Sequence, residues 1–428
     1  MPQIKKVLPG MNPWWEGEFR PEFHDREVYD EVRRFLHLPQ IIAFTGLRRV
    51  GKTTLLQKFA ADAMAGSVDP RDVLYFTFDE FREVEVREVL GAYEDLLERR
   101  FAERPSILLL DEVQKLEGWA DQVKALYDRL GRRARIVISG SESLFLRKGG
   151  RESLAGRMFE FPVHPLTFRE YLAFRGIPSE PAGLRERELA RALENLIRTM
   201  GLPELVSTDN MEVVRKYVRE SVVEKVLYRD LPGLLRIRDL PLLESLLHLL
   251  LDEPGQILDA TALAGELNAS RRTVATFLHY LEQSFLVRKL YNFSRGRRKV
   301  ERKLRRYYPT LLSAELAFAR DDLSRSKAFE WFVVNQLRAE FFWRDPYQKE
   351  VDIVLPGKEP RPIEVKFGRV DYGGVRAFMR QFKVRKGWIV SRGIEETRRF
   401  DEGVVEVVPA HEFLLKPPPN PIPTRSRA

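Results

Sequence analysis

The first half of the chain alternates short apolar runs with longer polar segments that have the pattern of helices. The apolar runs lie at 41–44, 73–78, 106–110, 135–139 and 159–163. Runs of this length, rich in Ile, Val, Leu and Phe and bounded by polar turns, predict strands that are buried on both faces. Strands that alternate with helices predict a parallel sheet covered by helices, here from about residue 40 to 165.

The first predicted strand runs directly into a glycine-containing turn and then a helix. Glycines allow backbone N–H groups to point at a polyphosphate, Lys52 offers a positive charge to its terminal phosphates, and the Thr53 hydroxyl is placed to bind Mg²⁺. A purely structural glycine turn is the alternative, but the flanking strand and helix favour a phosphate-binding loop with ATP and Mg²⁺ as ligands. The residues predicted to contact the nucleotide are Gly46, Leu47, Arg48, Arg49, Val50, Gly51, Lys52, Thr53 and Thr54.

Two carboxylates, Asp111 and Glu112, follow the strand predicted at 106–110. Open α/β sheets bind ligands at the carboxyl ends of their strands, so this pair is expected beside the phosphate-binding loop. Asp111 suits contact with Mg²⁺, and Glu112 suits polarising the water that attacks the terminal phosphate. A solvated pair at a strand end is the alternative, which the phosphate-binding loop disfavours.

Small polar residues follow the strand predicted at 135–139. Ser139 or Ser141 could sense the terminal phosphate through a hydrogen bond, and an ordinary helix N-cap is an equally open interpretation.

Arg157 lies in the segment Leu154-Ala-Gly-Arg, just beyond the predicted sheet. Its planar, permanently charged guanidinium could stabilise transition-state charge on the nucleotide of a neighbouring subunit. Whether Arg157 acts within its own subunit or across a homo-oligomer stays open.

Residues 183–251 are predicted to be helical and to form a lid and connector. After them, a helix, a turn at 267–269 and a second helix capped by Ser270 are followed by alternating strands of a hairpin, which together predict a winged helix. Arg271 and Arg272 would face outward at the start of the second helix. Such a module binds either nucleic acid or proteins, and both interpretations stay open.

The net charge of the chain is +9, and the segment from Arg288 to Arg306 contains ten Lys or Arg residues and one acidic residue. Basic charge concentrated on one short element favours a polyanionic partner, for which DNA is the leading candidate. An acidic protein surface and another domain of the same chain are the alternatives. The basic residues predicted to contact DNA are Arg271, Arg272, Arg295, Arg297, Arg298 and Lys299.

The C-terminal part carries a different pattern of acidic residues. Asp352 lies in one predicted strand, and Glu364 and Lys366 lie two residues apart on one face of the next. This is the layout of a PD-(D/E)xK nuclease core, in which carboxylates hold Mg²⁺ or Mn²⁺ and the lysine positions water, with Glu330 completing the cluster. An amphipathic hairpin without metal is the competing interpretation.

Composition narrows the classes of protein. A chain of 428 residues with 44% hydrophobic residues is long enough for about two to four domains. The absence of cysteine excludes disulfides, thiolate zinc sites and thiol nucleophiles. The residues from Met1 to Lys6 lack the pattern of a secretory signal and no apolar run reaches membrane-spanning length, so we expect a cytoplasmic protein without membrane contact.

Taken in order, these motifs resemble, over nearly the full length, the AAA-type P-loop ATPases of archaea and bacteria that carry a winged helix and a PD-(D/E)xK nuclease-like domain. The resemblance implies an α/β P-loop NTPase sheet with a helical lid, a winged-helix domain and a C-terminal α/β nuclease-like domain. One departure from the family is the segment Tyr307 to Ser313, where the family usually has an Asp-x-Gly-Leu turn. The expected domains are an N-terminal extension 1–32, the P-loop ATPase core 33–182, the helical lid and connector 183–251, the winged helix 252–310, the nuclease-like domain 311–415 and a disordered tail 416–428.

Three hypotheses about function follow. The leading one is a Mg²⁺-dependent ATP hydrolase associated with DNA, in which nucleotide state controls the winged-helix and nuclease-like modules. The second is a nucleotide-dependent regulator whose winged helix binds proteins and whose nuclease-like fold is an inactive scaffold. The third is a DNA nuclease gated by ATP.

Overall fold

The computed structural model describes residues 2–17, 19, 21–141, 154–180, 185–234, 237, 239–296 and 304–418. The chain forms two compact units, Met1–His164 and Pro165–Ala428. In the described part of the chain, no helix combines the length and the apolar character that crossing a bilayer requires. The tail predicted as disordered lies outside the described residues from 419 onward.

The first unit is built on a five-stranded parallel sheet in the order β2-β3-β4-β1-β5. Its three central strands are almost completely buried, as their apolar runs predict. The strands are β1 Ile41–Thr45, β2 Val73–Thr77, β3 Ser106–Asp111, β4 Ala134–Gly140 and β5 Met158–Pro162. The helices of this unit are α1 Pro2–Met11, α2 Glu27–Arg33, α3 Lys52–Ala65, α4 Val86–Leu97 and α5 Trp119–Leu130.

The N-terminal segment closes the open edge of this sheet at β2. Asn12 is fully buried, and its side-chain amide donates to the C=O of Tyr75 at 2.9 Å while its Oδ1 accepts from the Tyr75 N–H at 2.6 Å. The indole N–H groups of Trp14 and Trp15 both donate to the C=O of Val73, at 3.0 and 2.9 Å. Side chains thus satisfy backbone groups that an edge strand would otherwise expose.

The second unit begins with helices α6 Phe168–Phe174 and α7 Glu186–Thr199, followed by α8 Met211–Lys216. Wider, π-helical turns continue α8 through Tyr217–Val223 and Val226–Asp230 into α9 Leu231–Leu234.

A second five-stranded sheet follows, in the order β10-β9-β7-β8-β6. Because β9 pairs in parallel with β7, this sheet contains strands from both sides of position 310, where the sequence analysis placed the boundary between the winged helix and the nuclease-like domain. The strands are β6 Gln256–Leu258, β7 Val287–Asn292, β8 Arg305–Pro309, β9 Phe341–Arg344 and β10 Glu350–Val351. The accompanying helices are α10 Leu240–Asp252, α11 Ala260–Glu266 and α12 Arg271–Gln283.

The C-terminal sheet has the order β11-β12-β13-β15-β14 and mixes parallel with antiparallel pairs. The strands are β11 Ile353–Leu355, β12 Arg361–Lys366, β13 Lys386–Ser391, β14 Glu396–Phe400 and β15 Gly403–Pro409, and the helices are α13 Ala314–Ala317, α14 Asp322–Gln336, α15 Gly373–Phe382 and α16 Ala410–Phe413.

Candidate functional site

The loop between β1 and α3 adopts backbone conformations that favour glycine. Gly46 has φ +145° and Gly51 has φ +95°, both in the left-handed region. A Cβ at Gly46 would lie 2.2 Å from the carbonyl oxygen of Val163, so the close approach of the residue after β5 also requires glycine here. The loop therefore has its shape from its own sequence and from one tight tertiary contact.

Side chains of the loop divide into anchors and exposed groups. Leu47 and Val50 are buried, so only their backbone can face a ligand, whereas Arg49 is exposed. The ammonium of Lys52 is also buried, and it donates to the C=O of Gly46 at 3.0 Å and to the C=O of Leu47 at 2.9 Å. The lysine charge is thus held inside the curve of the loop at the amino end of α3, where backbone N–H groups and the helix dipole favour anions.

Arg26, which the sequence analysis did not single out, braces this loop from outside. Its guanidinium donates to the C=O of Val50 at 2.8 Å and to the C=O of His164 at 2.8 Å. Arg26 is 7% exposed although it lies in an irregular segment before α2. Nothing local marks such an arginine, because both acceptors are backbone groups distant in sequence.

Asp111 lies at the carboxyl end of β3 and accepts hydrogen bonds from three hydroxyl groups. Thr53 Oγ1 donates to Asp111 Oδ2 at 2.7 Å, Tyr75 donates to the same oxygen at 2.9 Å, and Ser139 donates to Oδ1. The structure therefore brings together the loop, the acidic strand end and the serine of β4, as the sequence analysis expected.

The phenol of Tyr75 was missed by the sequence analysis. Burial, followed by the charge of the Asp111 carboxylate, raises the pKa of Tyr75 far above its usual value. The phenol therefore keeps its proton and remains a hydrogen-bond donor to Asp111.

Glu112 follows Asp111 in a left-handed conformation, with φ +54°. Its carboxylate accepts from the amide of Gln114 at 2.6 Å, and the same amide donates to Ser141 Oγ at 3.0 Å. Lys115 lies 3.9 Å from the Glu112 carboxylate and pairs with Asp79. The predicted water-polarising carboxylate is thus linked through Gln114 to Ser141, the second serine of the predicted sensor position.

Arg157 lies away from these groups. It immediately precedes β5, its C=O accepts from the N–H of Ile41 at the start of β1, and its guanidinium pairs with Asp128 at 3.0 Å. The phosphate-binding loop leaves β1 at the opposite end, after Thr45, about 13 Å further along the strand. The structure does not bring Arg157 to the loop of its own chain.

A second group of charged residues lies in the Pro165–Ala428 unit. Asp352, between β10 and β11, accepts from the N–H of Val365 at 2.8 Å, and Glu364 pairs with Lys366 at 2.7 Å. Glu330 on α14 accepts from the hydroxyl of Tyr308 at 2.6 Å. The carboxylates predicted from the PD-(D/E)xK pattern therefore belong to one charged cluster.

The same cluster contains Arg306, a residue of the basic run. Its guanidinium lies 3.2 Å from Asp352 Oδ1, 3.1 Å from Glu350 Oε1 and 3.6 Å from Glu330 Oε1. We call Arg306, Glu330, Glu350, Asp352, Glu364 and Lys366 the acidic centre.

Two carboxyl groups of this centre, Glu330 and Glu364, hold protons more tightly than usual. Burial, followed by the charge of Asp352, raises the pKa of Glu330 to about 7. The same two causes raise the pKa of Glu364 well above its usual range. Burial acts to lower the pKa of Lys366, but the adjacent Glu364 carboxylate outweighs it, and the pKa is raised.

These residues do not fit the predicted divalent cation. Among the described residues, no group of three or more His, Cys, Asp or Glu side chains is arranged to hold a metal ion. In the acidic centre, both oxygens of Asp352 and one oxygen of Glu364 already accept hydrogen bonds or an ion pair.

The predicted DNA-contacting residues have different surroundings. Arg271 and Arg272 are exposed in the first turn of α12, whose N-cap is Ser270. Arg295 donates to the C=O of Phe382 at 2.8 Å. The remaining three, Arg297, Arg298 and Lys299, lie outside the described residues.

Several other members of the basic run have partners within the protein. Lys289 pairs with Glu282 at 2.6 Å, and Arg288 donates to Asn335 at 3.3 Å. Burial lowers the pKa of Arg288 to about 10. The described part of the run is therefore not one continuous basic surface, because several of its charges are held by partners within the protein.

Two protein families match separate segments of this chain. Residues 38–172 match the family described as AAA domain, and residues 190–310 match a domain of unknown function, DUF8612. The first match, together with the parallel sheet and its loop, supports the predicted AAA-type P-loop ATPase fold of this part of the chain. The second carries no functional description.

Relatives exist in archaea and bacteria. An uncharacterized protein of Methanocaldococcus jannaschii is 27% identical over 413 residues, which cover 88% of this chain and 85% of the relative. An uncharacterized protein of Haemophilus influenzae is 25% identical over 268 residues, covering 61% of this chain and 65% of the relative. The solved structure of AMPPCP-bound DnaA from Aquifex aeolicus is similar over 62% of this chain and 89% of the DnaA chain, with 15% sequence identity. Its TM-score of 0.29 is too low to support an inference.

Proposed function

We propose that this protein is an AAA-type ATP hydrolase that uses Mg²⁺ and associates with DNA, with nucleotide state controlling its C-terminal modules. The observation that carries the proposal is the 2.7 Å hydrogen bond between Thr53 and Asp111. It joins a hydroxyl at the amino end of the helix after a phosphate-binding loop to a carboxylate at the carboxyl end of β3, which is separated from β1 by β4 in the same parallel sheet. Triphosphate hydrolysis by P-loop proteins needs these two groups side by side.

The oxygens at this point suit magnesium. Thr53 and Asp111 offer hydroxyl and carboxylate oxygens, which are the ligands that Mg²⁺ prefers. Bound there, Mg²⁺ would neutralise charge on the phosphate oxygens. Tyr75 and Ser139 keep the Asp111 carboxylate oriented through their hydrogen bonds.

The other residues of the site have separate roles in binding ATP and in hydrolysing it. The backbone N–H groups of the loop and Lys52 bind the phosphates, because both lie at the positive end of α3. Glu112 orients the attacking water and accepts its proton. Ser139 or Ser141 senses the terminal phosphate, and Gln114 transmits the position of Ser141 to Glu112.

Arg157 would act only between subunits. Since it lies at the far end of β1 from the loop of its own chain, a role in transition-state stabilisation requires a homo-oligomer in which it reaches a neighbouring nucleotide.

Steady-state ATP turnover of the full chain tests the hydrolase proposal. We expect Lys52→Ala to abolish turnover, because it removes the buried ammonium at the phosphates. Lys58→Ala is the matched control on the same helix, since the partly buried Lys58 pairs with Asp62 at 3.1 Å and the variant is expected to keep the parent rate. Parent-level turnover by Lys52→Ala would exclude this site.

DNA association is supported by the elements from α10 to β8. The order of elements here is typical of a winged helix: the helix α10, the strand β6, the two helices α11 and α12 joined by a short turn, and the antiparallel strands β7 and β8. Arg271 and Arg272 are exposed at the amino end of the second of these two helices. In winged helices such a position can approach base edges while the hairpin approaches phosphates.

Binding of duplex DNA across a range of salt concentrations tests this association. Phosphate contacts make affinity fall steeply as salt rises, so we expect a steep salt dependence that becomes shallower in the variant Arg271→Ala/Arg272→Ala. Absence of binding at low salt would favour the alternative regulator, with a protein-binding winged helix and an inactive nuclease-like scaffold. The position of Arg306 among the carboxylates supports the inactive-scaffold part of that alternative.

A further inference from the structure

The guanidinium of Arg306 is surrounded by negative charge. Three carboxylates, from Glu330, Glu350 and Asp352, lie within 3.6 Å of it, and the hydroxyl of Tyr308 lies 3.3 Å from it. Glu330 comes from α14, and Glu350 and Asp352 come from β10 and the residue after it, so two segments distant in sequence converge on one arginine. The carboxylates are arranged as they would be around a bound cation, and the guanidinium of Arg306 occupies the position of that cation.

Packing holds Arg306 in this position. Its side chain is 8% exposed, and its guanidinium lies 5.3 Å from the ring centre of Phe342 on β9. Its backbone belongs to β8, which is paired on both sides, with Leu290 opposite on β7 and Ile257 opposite on β6. Withdrawal of the side chain would leave the buried Asp352 carboxylate without its ion-pair partner, which is strongly unfavourable.

The oxygens that a divalent ion would need are already engaged. Asp352 Oδ1 accepts from Arg306, and Asp352 Oδ2 accepts from the N–H of Val365. Glu364 Oε1 pairs with Lys366, so Glu364 Oε2 is the one oxygen of this pair of residues without a hydrogen-bond partner in the described part of the chain. Mg²⁺ or Mn²⁺ requires several oxygens at close range, and a neighbouring guanidinium repels it.

We propose that Arg306 is the resident cation of the acidic centre, so that the chain holds no divalent ion at Asp352 and Glu364 and does not cleave DNA. The centre then serves as a joint, in which one arginine of β8 ties the hairpin to α14 and to the segment after β10. This proposal is independent of ATP hydrolysis, because its residues all lie in the Pro165–Ala428 unit.

Manganese binding to the nucleotide-free full chain tests the proposal. Mn²⁺ is titrated into the parent protein and into Asp352→Asn, and free Mn²⁺ is followed by electron paramagnetic resonance. Asparagine retains an oxygen that can accept from Arg306, and both proteins share the same phosphate-binding loop, so a difference reports on the acidic centre. We expect superimposable titrations and no nicking of plasmid DNA by the parent protein with Mn²⁺. An equivalent of Mn²⁺ bound by the parent and lost in Asp352→Asn, or nicking that Asp352→Asn abolishes, would overturn the proposal.

Replacing the arginine provides the converse test. Arg306→Gln removes the competing charge, and we expect its Mn²⁺ affinity to exceed that of the parent by about a hundredfold or more. This gain should disappear in Arg306→Gln/Asp352→Asn. The matched control is Arg305→Gln, because Arg305 is the neighbour on the same strand and stacks over Tyr291 instead. A folded Arg306→Gln without any gain in Mn²⁺ affinity would refute the assigned role, and the titration of the parent protein decides the proposal even where Arg306→Gln does not fold.

Discussion

Replacing Asn12 by alanine would reopen the edge of the parallel sheet. The Asn12 side chain makes three hydrogen bonds, two with the N–H and C=O of Tyr75 at 2.6 and 2.9 Å and one with the C=O of Leu8 at 2.9 Å. Alanine makes none of them. The two backbone groups of Tyr75 would remain at a buried position without a partner, since Asn12 is 0% exposed.

The magnitude follows from those two groups. A buried backbone group that loses its partner costs about 1–3 kcal/mol, so Asn12→Ala should lower the free energy of unfolding by about 2–6 kcal/mol. We expect a lower urea midpoint at an unchanged slope, because the surface exposed on unfolding stays nearly the same. Circular dichroism of the full chain in urea measures both quantities.

Trp14→Phe is the matched control. It keeps a ring in place and removes one indole N–H, while Trp15 still donates to the same C=O of Val73. Its cost should therefore come mainly from the smaller ring at a buried position and stay at about 1–2 kcal/mol. A change of less than about 1 kcal/mol for Asn12→Ala would refute the reasoning that this side chain completes the edge strand.

Three further outcomes are expected. Gly46→Ala should lower the free energy of unfolding in urea by at least about 3 kcal/mol, because its Cβ would lie 2.2 Å from a carbonyl oxygen in a residue with φ +145°. The control Gly66→Ala should cost much less, since the nearest atoms to its Cβ would be 3.4 Å away. Equal costs would contradict the requirement for glycine at position 46. Arg26→Met should weaken the binding of a non-hydrolysable ATP analogue several-fold in calorimetry, because the two hydrogen bonds that hold the loop from Arg26 are lost. The control Arg33→Met, at an exposed arginine, should leave the affinity unchanged. Unaltered affinity in Arg26→Met would exclude a role of Arg26 in holding the loop. The pKa of Glu330 is raised in the folded protein from 4.5 to about 7, so its contribution to stability is complete below pH 4.5 and is lost as the pH rises through about 7. Thermal midpoints of Glu330→Gln should therefore fall less between these pH values than those of the parent, and parallel curves would argue against the raised pKa.

Much of the first unit could be predicted from the sequence. Each buried strand is an apolar run of its own, so five strands were located without knowledge of their partners. The meeting of Thr53 with Asp111 was also expected, because the carboxyl ends of parallel strands share one edge of a sheet. These features depend on local periodicity and on one general rule of topology.

Contacts between distant segments could not be predicted in this way. The sequence shows the charge of Arg306 but not its destination, and the tertiary structure places it against three carboxylates instead of at the surface. Likewise, only the fold shows that Arg157 lies at the opposite end of β1 from the loop, and that Asn12 pairs with β2.

The sequence by itself determined which segments form the strands of the first sheet, where the loop has its glycines and which chemical groups lie at the carboxyl edge of that sheet, because backbone propensity and apolar periodicity are local. The tertiary structure decided which charges are solvated and which are neutralised inside. Burial and ion pairing depend on segments that are far apart along the chain, so no local pattern of the basic run distinguishes an arginine that binds a polyanion from one that replaces a metal ion.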